Sequence, residues 1–329
     1  MAYRVDTESR GGRTVCRLHD DATGAAAAIL PSYGFNLFSL KLPVAGQVRE
    51  ILHAAPDFAE DPKSPGRNGT PVLFPFPNRI NAGRYRFQGK DYQLPLNSRP
   101  HAIHGFAIGA PWDVVEHKAG DDGAHLVGRY QISKNTPEMR QFWPTDAVLQ
   151  IRYNLSGRRL SMTITVSNPS AEELPYGFGI HPYFRLPIVP GGDPDRTRVV
   201  LPASSYWVLD GYIPTGEIRP VDDRLDFRKG QPRTHLKLDD VLTGLTLEGD
   251  HGVCRLVDQA LGAETRLGFD RNFRELVVFT PPADGVIAVE PYTQTTDAIN
   301  LEGRGIEAGL RRLGHDQQET LSLVMETAG

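Results

Sequence analysis

Leu149-Gln150-Ile151-Arg152-Tyr153-Asn154-Leu155, the turn Ser156-Gly157-Arg158, and then Leu160-Ser161-Met162-Thr163-Ile164-Thr165-Val166-Ser167 decide the fold class. Apolar side chains take every second position in both runs and polar ones fill the gaps. Successive side chains on a strand point to opposite faces, so this is a β-hairpin with one buried and one wet face. Working outward, similar short strands read at Ala124–Ile132, Arg198–Leu201, Glu275–Thr280, Gly285–Val289 and Thr320–Met325. The 33 glycines and 26 prolines suit a chain with many tight turns. Helical periodicity is confined to Gly305–Leu313, which Gly314 would close. The tracts Pro56–Gly69 and Asp210–Arg233 are too long for structureless connections and read as functional loops or as short strands. No linker or fixed-period repeat divides the chain. The expectation is an all-β protein: one large antiparallel β-sandwich domain over residues 1–329 with few short helices.

Bulk properties exclude several classes. With 40% hydrophobic residues the chain can bury a core, and its net charge of -4 comes without blocks of like charge. Neither a nucleic-acid nor a membrane partner is expected. Cys16 and Cys254 alone make no disulfide framework or zinc site. The start, Met1-Ala2-Tyr3-Arg4-Val5-Asp6, lacks the apolar run of a signal peptide, and the apolar stretch near Ala25–Leu30 is too short to span a bilayer. A cytoplasmic protein is expected, as monomer or homodimer.

Four segments carry possible chemistry. Pro71-Val72-Leu73-Phe74-Pro75-Phe76-Pro77 stiffens the backbone just before the polar pair Asn78-Arg79. His101-Ala102-Ile103-His104-Gly105-Phe106 offers two imidazoles, either turn residues or ligands. In Pro175-Tyr176-Gly177-Phe178-Gly179-Ile180-His181-Pro182-Tyr183-Phe184 one histidine sits among small glycines and aromatic rings that can stack on a sugar. Val286-Ile287-Ala288-Val289-Glu290-Pro291 ends an apolar strand on a carboxylate. Such a residue needs a partner or a pocket mouth, because burying it alone is costly.

Taken in order, Asn78-Arg79-Ile80, His104-Gly105-Phe106, His181-Pro182-Tyr183-Phe184, and Glu290 with Asp297-Ala298-Ile299-Asn300 resemble the aldose 1-epimerase (galactose mutarotase-like) family. Ile29-Leu30-Pro31-Ser32-Tyr33-Gly34-Phe35-Asn36, Gly83-Arg84-Tyr85, Tyr92-Gln93-Leu94 and Leu238-Asp239-Asp240-Val241 extend the resemblance from about residue 25 to about residue 302. It implies a supersandwich fold and an isomerase that interconverts the α and β anomers of an aldose with no cofactor or metal. By the same resemblance Glu290 is the general base and His181 the general acid, with His104, Arg79, Asn78 and Asp239 binding the sugar. Asp270 in Phe269-Asp270-Arg271-Asn272-Phe273 and Asp240 compete with Asp239 for the last role. The segment Pro291-Tyr292-Thr293-Gln294-Thr295-Thr296 and the residue Pro182 depart from the best-known galactose mutarotases, so the sugar need not be galactose.

The chemistry suits those residues. Ring opening takes a proton from the C1 hydroxyl while another reaches the ring oxygen, so an acid and a base must converge on one carbon. The charge on Glu290 is expected to hold His181 protonated. Trp112, Trp207 or Tyr183 would offer a stacking face. Alternatives are a hexose-6-phosphate mutarotase using Arg67, Arg99 or Arg185, and a non-catalytic carbohydrate-binding protein. A cupin-like metal site of His101, His104, His181 and Glu290, or a glycosidase pair of Glu290 and Asp239, are further options.

Overall fold

The computed structural model describes residues 2–189, 193, 196–232, 237–281 and 285–329. The hairpin forms as its alternation requires: strand Val148–Ser156 pairs with Arg159–Ser167, Ile151 opposite Ile164 and Tyr153 opposite Met162. Ser156 pairs with Arg159, which leaves Gly157-Arg158 as a two-residue turn. Gly157 has φ 60, the left-handed conformation such turns take at their first central residue. Leu149, Ile151, Tyr153 and Leu155 are fully buried.

This hairpin lies within a nine-stranded antiparallel sheet. Its order runs Asp113–Gly120, Gly123–Gln131, the two hairpin strands, Gln318–Ala328, Ala263–Asp270, His251–Asp258, Thr197–Val200 and Gln231–Pro232. An eight-stranded sheet runs Ile213–Pro220, Ala203–Asp210, Asp239–Leu245, Glu275–Phe279, Val286–Tyr292, Gly179–Ile180 and Val72–Leu73, with Tyr183–Arg185 also paired to Val286–Tyr292. A five-stranded meander covers Tyr3–Glu50. One apolar cluster draws side chains from all three sheets: Leu18 and Leu40 from the meander, Leu149 and Leu323 from the nine-stranded sheet, Val278 and Val289 from the eight-stranded one. The fold is all-β and antiparallel, as expected, and no described helix is long and apolar enough to cross a membrane.

One local expectation is overturned, and two that left loop and strand open are narrowed. Gly305–Leu313 is not a helix. The helical turn lies earlier, at Ala298–Gly303, and Arg311–Leu313 is a strand paired with Leu174–Tyr176. Gly303, Gly305 and Gly309 break the helix where its period seemed to begin, and Gly305 and Gly309 have positive φ. The tract Asp210–Arg233 holds two strands, Ile213–Pro220 and Gln231–Pro232, while Arg233 lies outside the described residues. Pro56–Gly69 has one short 3-10 turn, Pro65–Arg67, and packs beside the candidate site.

Candidate active site

Strand Val286–Tyr292 is buried at every position, because strands flank it on both sides and neither face meets bulk water. Its register places the chemistry. Gly179 pairs with Tyr292 and Tyr183 with Ala288, so the same count sets His181 directly opposite Glu290. Residues opposed in this way carry side chains on one face, with Cβ atoms about 4.5–5.5 Å apart. The count continues across the sheet: Glu290 opposes Val277, Ala288 opposes Phe279, and Phe279 opposes Asp239. Two rows of the sheet therefore present His181, Glu290 and Val277, then Tyr183, Phe279 and Asp239, to one cavity of about 180 Å³. Pro291 has no N–H to give the ladder, and on the neighbouring segment the His181 amide bonds to Pro71 O at 3.0 Å.

The remaining wall comes from two loops crossing the sheet. Asn78 and His104 both have positive φ, and the His104 amide donates to Asn78 O at 2.8 Å. Gly105 lets this happen: a Cβ there would stand 2.2 Å from Phe74 O, and its φ is 69. Asn78, Arg79, Ile103 and His104 thus face the same cavity, with Gly66 and Arg67 from the Pro65–Arg67 turn. Arg79 donates to Asn78 Oδ1 at 3.1 Å. Its backbone carbonyl receives the amide of Asp297, whose buried carboxyl takes the amide of Asn81 at 2.9 Å and Asn300 Nδ2 at 2.7 Å.

Within the cavity His181 Nε2 lies 3.1 Å from Glu290 Oε1, with the two side chains 7% and 1% exposed. Each partner has its own tyrosine. The Tyr183 ring stacks on the imidazole at 4.5 Å, and its hydroxyl lies 3.2 Å from Nε2 while donating to Gly66 O. The Tyr292 hydroxyl donates to Glu290 Oε2. His104 meets His181 edge-to-face at 5.6 Å. Nδ1 of His104 and Nδ1 of His181 are buried with no hydrogen-bond partner among the described residues, polar atoms that a polar guest would satisfy.

The electrostatics corrects one expectation. Burial pushes Glu290 well above the ordinary carboxylate value, and the nearby Asp239 adds to this against the opposing Tyr292 bond and Arg79. Burial, aided by His104, pushes His181 well below the ordinary histidine value. His104 is lowered to about 3 by burial and by Arg79. Desolvation therefore acts against the ion-pair attraction expected to keep His181 charged. The pair is driven toward neutral carboxyl and neutral imidazole.

All six residues picked from the sequence line this cavity. The three candidate aspartates are placed differently. Asp239 faces the cavity, whereas Asp240 takes a two-pronged contact from Arg224 at 2.8 and 2.9 Å. Asp270 accepts from Asn272 N at 2.9 Å and Ser322 Oγ at 3.0 Å. Of the three stacking candidates Tyr183 lines the cavity. Trp112 packs on Phe35, and Trp207 donates to the buried Glu275. Arg67 lines the cavity, but Arg185 is bound to Leu52 O at 2.7 Å and Arg99 lines a separate hollow. His101 turns away to accept from the Ala82 amide at 3.2 Å. No group of three or more His, Cys, Asp or Glu among the described residues is placed to hold a metal. Tyr292, Val277 and Phe279 were missed. Tyr292 stands two residues from Glu290 on one strand, a same-face signal that period two carries.

The chain also resembles known proteins. Escherichia coli (strain K12) protein YphB, described as uncharacterized, is 32% identical over 163 residues, covering 49% of this chain and 50% of YphB. Galactose mutarotase of Rattus norvegicus is 30% identical over 156 residues, covering 46% of this chain and 43% of that protein. The matched part thus spans about half the length of these curated relatives. A galactose mutarotase-like protein from Clostridium acetobutylicum shares the fold, with TM-score 0.89 at 23% identity over 100% of this chain and 99% of the other. The family model described as aldose 1-epimerase matches residues 17–323, nearly the whole length. The chain belongs to the aldose 1-epimerase family.

Proposed function

We propose that the protein is an aldose 1-epimerase, interconverting the α and β anomers of an aldose by opening and reclosing its ring. The observation that carries this reading is the 3.1 Å contact of His181 Nε2 with Glu290 Oε1 at the wall of a cavity sized for one sugar ring. Glu290 takes the proton of the C1 hydroxyl and His181 gives one to the ring oxygen. The aldehyde turns about C1–C2, and the reverse transfers close the ring on its other face. The number of protons on the pair is unchanged over the cycle, so one proton held between the two groups serves both directions. Passing it along the short contact turns the neutral pair into carboxylate and imidazolium. Hydroxyls arriving at Glu290 supply hydrogen bonds that favour the carboxylate.

Arg79, Asn78, His104 and Asp239 hold hydroxyls and fix the ring within reach of both groups, about 2.6–3.2 Å. Tyr183 and Tyr292 are positioning residues for His181 and Glu290. The buried, unpaired Cys16 and Cys254 support a reducing, cytoplasmic setting. Polarimetry on freshly dissolved α-glucose and α-galactose tests the proposal. The approach to anomeric equilibrium should quicken in proportion to added protein, and a rate equal to buffer alone for every aldose would sink it.

A further inference from the structure

Among the described residues, four hairpins turn through two central residues that both have positive φ: Gly11-Gly12, Ala45-Gly46, Gln88-Gly89 and Gly211-Tyr212. The second central residue sits at φ 76, 72 and 79 in the first three, and each time it is glycine. In the fourth, which joins Ala203–Asp210 to Ile213–Pro220, it is Tyr212 at φ 75. A bulky side chain is strained in this region, and such strain persists where the surroundings or a function repay it. Core burial does not repay it here, because Tyr212 is 52% exposed.

What the ring touches is Arg79. The guanidinium carbon lies 4.4 Å from the ring centre, a cation–π contact. Arg79 lines the cavity of His181 and Glu290, and it also lines a wider hollow together with Tyr212 and Asp210. A guanidinium freed from the ring would have open space and a carboxylate outside the cavity to turn toward. Its bond to Asn78 Oδ1, at 3.1 Å, is then the contact left to hold it at the cavity wall.

We infer that Tyr212 is a positioning residue for sugar binding: the hairpin tip carries a strained tyrosine so that its ring holds the Arg79 guanidinium at the cavity wall. The inference rests on the reading of Arg79 as a hydroxyl-binding group in a ring-opening site. An arginine side chain that is already held loses less rotamer freedom when a hydroxyl arrives, so affinity gains without Tyr212 touching the sugar. Tyr212 does not line the cavity of His181 and Glu290, so its effect falls on KM more than on kcat.

Mutarotation and calorimetric binding of glucose and galactose are measured for the unaltered protein, for Tyr212→Leu, Tyr212→Phe, Tyr212→Gly and Arg79→Gln, and for the Tyr212→Leu/Arg79→Gln double variant. Tyr212→Leu keeps a side chain at the strained position but removes the ring face. It should raise KM by about fivefold, the worth of one cation–π contact, with kcat within about twofold of wild type. Tyr212→Phe keeps the face and should keep the wild-type KM. Tyr212→Gly should raise KM as leucine does while its urea midpoint stays level or rises, because glycine removes the strain. In the Arg79→Gln background, Tyr212→Leu should raise KM no further. A wild-type KM in Tyr212→Leu, a raised KM in Tyr212→Phe, a lowered midpoint in Tyr212→Gly or an equal further rise in the Arg79→Gln background overturns the inference. If no aldose is turned over, the ring-opening reading fails by itself, and the same comparisons made in sugar affinity decide the inference. Tyr212→Leu showing no loss of affinity there overturns it.

Discussion

The hairpin of the nine-stranded sheet and the strand Val286–Tyr292 of the eight-stranded sheet solve opposite problems. In the hairpin, apolar side chains go inward and polar ones outward, and outward charges on the same sheet pair at the surface, as Arg266 does with Glu264 at 2.9 Å. In Val286–Tyr292 nothing faces outward, yet Glu290 and Tyr292 lie among its seven buried residues. The first arrangement holds the molecule together. The second keeps a carboxyl, an imidazole and two phenols out of water at a cost, and such costly burial clusters where pKa values must be shifted for chemistry.

Substitutions in the two regions should therefore separate stability from rate. Ile151→Ala empties a fully buried site in the hairpin and should cost about 2–5 kcal/mol in urea unfolding while sparing turnover. Glu290→Gln replaces a group that burial already disfavours as a charge, and it should keep the wild-type unfolding midpoint or raise it. A Glu290→Gln variant as unstable as Ile151→Ala would erase the contrast.

Tyr292→Phe is expected to lower kcat by about 10–100-fold, the worth of a hydrogen bond to a charged group. It also carries a pH signature. The one-proton pair persists between the lowered His181 value and the raised Glu290 value. Acid protonates His181 below that range, and base strips the shared proton above it, so activity falls at both ends. Tyr292 favours the Glu290 carboxylate, so its loss raises the Glu290 value further and moves the alkaline limb to higher pH. An unmoved limb would make Tyr292 a packing residue only.

The smallest effects distinguish neighbours. Asp239→Asn should raise KM by about tenfold, as loss of one hydroxyl contact to a charged group would. Asp240→Asn breaks a partly exposed pair with Arg224, and should change neither KM nor stability by more than about 0.5 kcal/mol.

The hairpin was legible because period-two alternation survives wherever one face is wet. Glu290 was legible as an exception, a carboxylate in an apolar run. Its partnership with His181 was not, since register depends on Gly179 pairing with Tyr292 across 113 residues of chain. For the same reason Val277 and Phe279 looked like ordinary core. Trp207 was a plausible stacking face until its indole proved committed to Glu275, itself buried with its carboxyl raised to about 7 by desolvation. The false helix at Gly305–Leu313 arose from apolar spacing whose glycines, at positive φ, belong to turns.

The central claim is that His181 and Glu290 act as one acid–base unit, and polarimetry on Glu290→Gln, His181→Asn and the double variant measures it directly. Each single variant should lose about 10²–10⁴-fold in mutarotation rate while calorimetry still detects sugar binding, and the double variant should be little worse than either. Wild-type-like rates in either single variant would contradict the account.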